Sequence, residues 1–309
     1  MLQAINLHKK YKNKEVVRHI NMQLEAGESV GLLGPNGAGK STTISMLSSL
    51  IMPTSGEVIW NEQSINKNPE SLRKVLGVVP QEIALYPELS AKENLHFFGR
   101  VYGLKGQLLA KRTEEVLQKI GLTDRQNDIV KTFSGGMKRR LNIGAALLHE
   151  PSILIMDEPT VGIDPQSRAY ILDTVKQLVE EGMTLLYTSH YMEEVELLCD
   201  KIYIMDQGEI IAHGTKEALK SLVSDNQTIE LQANLLSAEF EEALKKQFKT
   251  ATIRKEEETF SISLPKSDKP LATIFALAAS NDVTITSAVV KIPSLEDVFL
   301  HLTGRALRD

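Results

Sequence analysis

A chain of 309 residues, 42% hydrophobic and 24% charged, has the make-up of an ordinary globular protein with room for one large domain and a small one. Its 35 basic residues against 40 acidic ones leave a net charge of -5, which argues against a dedicated nucleic-acid binder. The single cysteine, Cys199, excludes an intrachain disulfide and fits a reducing compartment.

The opening residues, MLQAINLHKKYKNK, lack the apolar core of a secretory leader. No apolar run approaches the ~18–20 residues that span a bilayer, so any membrane role is expected to run through a partner. Up to about His213, short apolar runs alternate with helical stretches, the pattern of an α/β sheet with crossover helices. The buried-strand candidates are Ser29–Leu33, Gly77–Val79, Ile153–Met156 and Thr184–Thr188. Ligands of open α/β sheets gather at the carboxyl ends of strands, so the polar residues that follow these runs are the first place to look for chemistry.

The first run leads into Gly34-Pro35-Asn36-Gly37-Ala38-Gly39-Lys40-Ser41-Thr42, a match to GxxxxGK[ST] between a strand and a helix. Gly37 and Gly39 let the backbone turn its N–H groups onto phosphate oxygens. Lys40 supplies a point charge at the β- and γ-phosphates, and the Ser41 hydroxyl suits Mg²⁺. The helix N-terminus adds partial positive charge. ATP or a similar nucleotide is the expected ligand.

Leu89 to Gly136 carries helical periodicity broken by glycines and reads as a helical insertion, with a helical subdomain over about 89–140. Beyond it, Ile153-Leu-Ile-Met-Asp157-Glu158-Pro159 is an apolar strand that ends in two acids. Asp157 is placed to hold Mg²⁺ and Glu158 to orient or deprotonate the attacking water.

From Asp225 the texture changes. Thr228–Ala233, Thr259–Leu264 and Val283–Val290 read as strands, Ala238–Phe248 and Leu271–Ser280 as amphipathic helices. A last helix is expected from Ser294, with Glu296 and Asp297 in its first turn. The expected division is a domain over 1–224 and a small α+β domain over 225–309.

Phe133-Ser134-Gly135-Gly136-Met137 places a serine and two glycines at a helix start, a second nest suited to phosphate. It resembles the LSGGQ signature of the ATP-binding-cassette family, with Phe for Leu and Met for Gln. The resemblance implies a P-loop NTPase cassette of α/β class with a helical signature subdomain, followed here by the α+β tail. It also implies that Ser134, Gly135 and Gly136 of one protomer close on the γ-phosphate held by the P-loop of the other. The partner is then a second copy of the chain or another cassette.

Further landmarks follow in family order. Tyr11 stands where these cassettes place an aromatic ring on adenine. Gln81 resembles the glutamine that senses Mg²⁺ and links the site to the transport partner, and His190 the switch histidine near the γ-phosphate. Val161-Gly-Ile-Asp164 stands at the loop that crosses the dimer interface. The other six histidines show no metal-ligand spacing, so zinc is not indicated, and neither is a covalent cofactor.

The tail Ser294-Leu-Glu-Asp-Val-Phe-Leu-His-Leu-Thr-Gly-Arg305 resembles the ending of the drug-resistance branch, typified by daunorubicin exporters. That branch implies an ATPase at the cytoplasmic face of the membrane that drives separate polytopic permease subunits to export a drug, antibiotic or lipid-like compound. An importer ATPase is the rival that the cassette alone permits. A soluble, non-transport cassette protein is a second rival, but those typically carry two cassettes and basic linkers on one chain.

Overall fold

Alternating apolar and polar residues build two long strands at the start of the chain, β1 (Leu2–Tyr11) and β2 (Lys14–Leu24), which pair antiparallel with Leu2 opposite Leu24 and Tyr11 opposite Lys14. The computed structural model describes residues 1–223, 226–234, 238–249, 251–256, 259–265, 270–291 and 293–303. Strand β3 (Ser29–Leu33) is buried along its whole length and feeds α1 (Lys40–Leu47) through the phosphate loop. β4 (Ser55–Trp60) and β5 (Gln63–Ser64) return to β1, which completes a four-stranded sheet in the order β2-β1-β4-β5. This sheet is not legible in the sequence, since its strands are half exposed and interrupted by bulges.

A short α2 (Glu70–Arg73) precedes β6 (Leu76–Val79). The helical insertion follows as α3 (Ala91–Val101), α4 (Gly106–Lys119) and α5 (Gly135–Leu147). Ser90 opens α3 with a capping box: its hydroxyl accepts from the Glu93 N–H, and the Glu93 carboxylate accepts from the Ser90 N–H. Helix α5 runs on past the expected limit near residue 140, because Leu141 to Leu148 are buried without interruption. Then come β7 (Ile153–Asp157), α6 (Pro165–Glu180), β8 (Thr184–Ser189), α7 (Met192–Leu198), β9 (Lys201–Asp206) and β10 (Glu209–Thr215).

The main sheet has the order β10-β9-β3-β8-β7-β6; β10 pairs antiparallel with β9 and every other pair is parallel. One face, with Val30, Leu32, Ile153, Ile155 and Leu186, packs with α1 and the first sheet around Ile44, Met46, Leu47, Val17 and Val58. The opposite face receives α7 at Gly31, where a Cβ would stand 2.4 Å from Val195 Cγ1. Register then sets the site: Leu33 lies beside Ser189, Asp157 beside Thr188, and Val79 beside Met156. The residues just past these strands therefore emerge in a row at one edge.

The chain divides into two compact units, with the break between Lys216 and Glu217 inside α8 (Lys216–Ser221). Ser224 and Asp225, where the sequence reading puts the boundary, lie outside the described residues. The second unit holds β11 (Asn226–Ala233), α9 (Ala238–Gln247), β12 (Thr252–Glu256), β13 (Thr259–Pro265), α10 (Pro270–Ser280), β14 (Ile285–Lys291) and α11 (Leu295–Thr303). Its sheet, β12-β13-β11-β14, is antiparallel and has its own core of Ile229, Leu231, Phe240, Phe260, Ile262 and Ile274. Strand β12 is additional to the three expected; Thr252-Ile-Arg-Lys-Glu256 is too charged to stand out as a strand. Ser294 caps α11 as expected, accepting from the Asp297 N–H at 3.1 Å. Gly304 and Arg305 of the tail motif lie outside the described residues. Among the described residues no helix is long and apolar enough to cross a membrane.

Candidate nucleotide site

The loop after β3 is folded tightly. Gly39 adopts φ 108°, and a Cβ there would lie 2.6 Å from both Met205 Cε and the Val16 carbonyl oxygen, so only glycine fits. The Ala38 carbonyl accepts from the Gly208 N–H, and the Gly208 carbonyl from the Arg18 N–H, which ties the loop to β2 and to the β9–β10 turn. Lys40 then points back under the loop: its Nζ donates to the carbonyls of Gly34 at 2.8 Å and Pro35 at 3.3 Å.

The same ammonium lies 3.1 Å from Glu158 Oε1, and both side chains are buried. His190 Nδ1 lies 3.3 Å from the other oxygen, Glu158 Oε2. Glu158 sits in the left-handed region at φ 45°, held there by bonds from its N–H to the Thr188 hydroxyl and carbonyl. The Thr188 hydroxyl donates to Asp157 Oδ1 at 2.8 Å. One threonine thus fixes both acids at the end of β7.

Lys40 and Glu158 face a cleft of about 540 Å³, lined also by Asn36, Gly37, Gly39, Ser41, Thr42 and Gln81 together with Lys14, Glu15, Val16, Arg18 and Gln207; Asp157 and His190 adjoin it through Glu158 and are not among the lining residues. Gly34, Pro35 and Ala38 shape the loop from behind and are not among the lining residues. Tyr11 is 46% exposed at the end of β1, with Lys9 Nζ 5.2 Å from its ring centre, and it too is not in the wall. The wall residues of β2 and Gln207 carry no sequence signal; the pairing of the sheets brings them there.

Gln81 leaves β6 exposed at the cleft, its backbone held from the signature helix. The Arg139 guanidinium, buried, donates to the carbonyls of Pro80 at 2.7 Å and Gln81 at 2.5 Å. Burial pulls that guanidinium below its ordinary pKa, partly offset by Tyr187 and Asp157. Asn142, one turn on, accepts from the Ala84 N–H. Neither residue was singled out by sequence, where both read as ordinary helix positions.

Ser134 caps α5, accepting from the Met137 N–H at 3.2 Å, and Ser134 and Gly135 are exposed. Gly136 is buried: a Cβ there would stand 2.0 Å from Ser167 Oγ, so this glycine seats α5 on the start of α6. None of the three lines the cleft of its own chain. Asp164 caps α6 and accepts from the Ser167 N–H at 2.9 Å; bonds from Ser167 hold its carboxyl below the usual pKa.

The cleft suits a nucleoside triphosphate. It offers a helix N-terminus, a cation and backbone that a side chain at Gly39 would block. Ser41, Gln81 and Asp157 present hydroxyl, carboxamide and carboxylate oxygens, the donors Mg²⁺ takes alongside phosphate.

Known proteins agree. Residues 17–161 match the ABC transporter family, and residues 214–303 match the C-terminal domain of DrrA1-3-like ATP-binding proteins. The chain is 51% identical over 311 residues to the linearmycin resistance ATP-binding protein LnrL of Bacillus subtilis (strain 168), covering 100% of both. It is 38% identical to the Nod factor export ATP-binding protein I of Cupriavidus metallidurans, covering 100% of this chain and 99% of that one. A dimeric ATP-binding cassette in a post-hydrolysis state with ADP and Pi superposes with a TM-score of 0.64 at 28% identity, over 70% of this chain and 98% of that one. The chain belongs to the ATP-binding-cassette transporter family, as an ATP-hydrolysing subunit of its drug-resistance branch.

Proposed function

We propose that this chain powers an exporter of antibiotic- or lipid-like compounds from the cytoplasmic face of the membrane, through separate polytopic permease subunits. The observation that carries the catalytic reading is the Lys40–Glu158–His190 cluster at the mouth of the P-loop. Kinship with resistance and export proteins over the full chain carries the transport reading.

In this reading ATP lies with its phosphates over Gly37–Thr42, and Tyr11 lies toward the adenine. Ser41, Gln81 and Asp157 would hold Mg²⁺, which when bound would supply positive charge against the phosphate oxygens. Lys40 moves its charge from Glu158 to the β- and γ-phosphates. Glu158, released, accepts a proton from the attacking water, and His190 orients it toward the γ-phosphate. Ser134 and Gly135 complete the site of an opposing cassette, with Asp164 at the crossing loop. The α+β domain from about 225 is an accessory to this cassette.

The test is purification from membranes with any polytopic protein that accompanies the chain, followed by ATPase assay with candidate cargoes. Stimulation by an apolar antibiotic, and its ATP-dependent transport in vesicles, is expected. ATPase that no permease alters would overturn the transport reading, and association with a soluble binding protein would favour import.

A further inference from the structure

Glu194, on α7, is buried to 1% exposure, yet its carboxylate carries a full set of four donors. Oε1 accepts from the Thr160 hydroxyl at 2.7 Å and from Arg168 Nε at 2.6 Å. Oε2 accepts from the Tyr187 and Ser189 hydroxyls, each at 2.8 Å. Two oxygens offer about four lone-pair sites, so the group is saturated.

The donors come from separate functional segments. Thr160 lies two residues past Glu158. Arg168 lies in the first turns of α6, which Asp164 caps. Ser189 precedes His190, and its oxygen also accepts from the Tyr191 N–H at 2.9 Å, so one hydroxyl brackets the histidine on both sides. Arg168 in turn stacks on Tyr191 at 4.2 Å, and the Tyr191 ring lies 4.1 Å from the His190 ring. Burial, and then the Glu194 charge, push the Tyr187 phenol well above its ordinary pKa, which keeps it a donor.

We propose that Glu194 is a positioning residue for ATP hydrolysis: it locks the loop after Glu158, the helix capped by Asp164 and the segment bearing His190 into one rigid unit. The proposal rests on the nucleotide reading above. Removing a donor frees His190 to drift relative to Glu158, and a drift of about 1 Å in such a site can cost on the order of 100-fold in rate. The four donors to Glu194 all lie outside the P-loop, so nucleotide affinity is expected to hold.

The experiment compares Glu194→Gln, Ser189→Ala, Arg168→Met and Arg168→Lys with the wild-type protein, reading kcat, KM and nucleotide affinity per folded molecule. Glutamine can keep its carbonyl oxygen toward Thr160 and Arg168 only by turning its NH2 onto the Tyr187 and Ser189 hydroxyls, which must then accept instead of donate, and the change removes the charge that pairs with Arg168. The expected result is kcat lowered about 10- to 100-fold with KM and ATP affinity within about twofold. Ser189→Ala and Arg168→Met, which remove one donor each, show smaller losses of the same kind, and Arg168→Lys recovers part of the rate. If Glu194→Gln does not fold, the other three decide. Wild-type kcat in folded Ser189→Ala and Arg168→Met overturns the proposal, as does a loss expressed in KM. A wild-type protein without ATPase activity would instead sink the nucleotide reading, which separates the two failures.

Discussion

Lys40 and Glu158 form a buried ion pair, Nζ to Oε1 3.1 Å, that joins the loop after β3 to the end of β7 across the intervening strand β8. The ammonium that the phosphates need is thus engaged with the acid that the water needs. Each residue's substitution affects the other.

Lys40→Ala should therefore do two things. It removes the charge at the phosphates, so ATP affinity collapses in a titration with Mg²⁺. It also strands a buried carboxylate, which typically costs about 3–5 kcal/mol. Denaturant unfolding should show that loss, and adding Glu158→Gln should recover a substantial part of it. Undiminished ATP affinity with full turnover would refute the P-loop assignment.

Glu158→Gln keeps the shape and removes the base. Hydrolysis should fall by about 10²–10⁴-fold, the usual worth of a positioned general base. ATP should bind at least as tightly as to the wild type, since phosphate no longer competes with a carboxylate for Lys40. ATP-loaded dimers should accumulate on size-exclusion chromatography. Near-wild-type turnover would move the base elsewhere, with His190 next in line.

The pairing of Lys40 with Glu158 shows what the sequence makes legible. Gly34–Thr42 and the acids ending β7 are readable because strand, loop and helix signals are contiguous, whereas Gln81 and His190 are named only through the family resemblance. Glu194 is not readable: in Met-Glu-Glu-Val-Glu it looks like one acid of a solvated face, and only the packing of α7 against β8 and α6 buries it. Lys14, Arg18 and Gln207 enter the cleft wall through sheet pairing, which sequence spacing does not encode. Strand β12 escapes notice because its charged residues mask the alternation.

Acid should weaken the cassette. Burial lowers the pKa of His149, which stacks on Tyr102 with ring centres 3.7 Å apart, and burial lowers that of His96 as well. The unfolded chain then binds protons that the folded one refuses, so stability is full above the ordinary value of 6.5 and is lost as pH falls toward the depressed values. Thermal unfolding between pH 7.5 and 5.5 should show a decline that His96→Gln/His149→Gln flattens. An unchanged slope in that variant would contradict it.

A chain ending after Val223 should fold and bind ATP, because every candidate site residue belongs to the first unit and the second has a separate core. Cooperative unfolding and unaltered ATP affinity of the truncated protein are expected. Insolubility, or loss of binding, would show that the tail completes the cassette.

The most direct test of the account is complementation between protomers. Gly136 is unsuitable, since any side chain there strikes Ser167 of its own chain; Gly135 is exposed, with only Ile163 Cδ1 near at 3.9 Å. A carboxylate at Gly135→Asp faces outward, where it would repel the γ-phosphate of an opposing site. Gly135→Asp and Glu158→Gln should each be nearly inactive alone, while both still bind ATP. In a mixed dimer, the intact P-loop and Glu158 of the first chain meet the intact signature of the second, which makes one complete site. ATPase activity recovered on mixing is the predicted result. Absence of recovery in demonstrated heterodimers, or full activity of Gly135→Asp alone, would contradict the account.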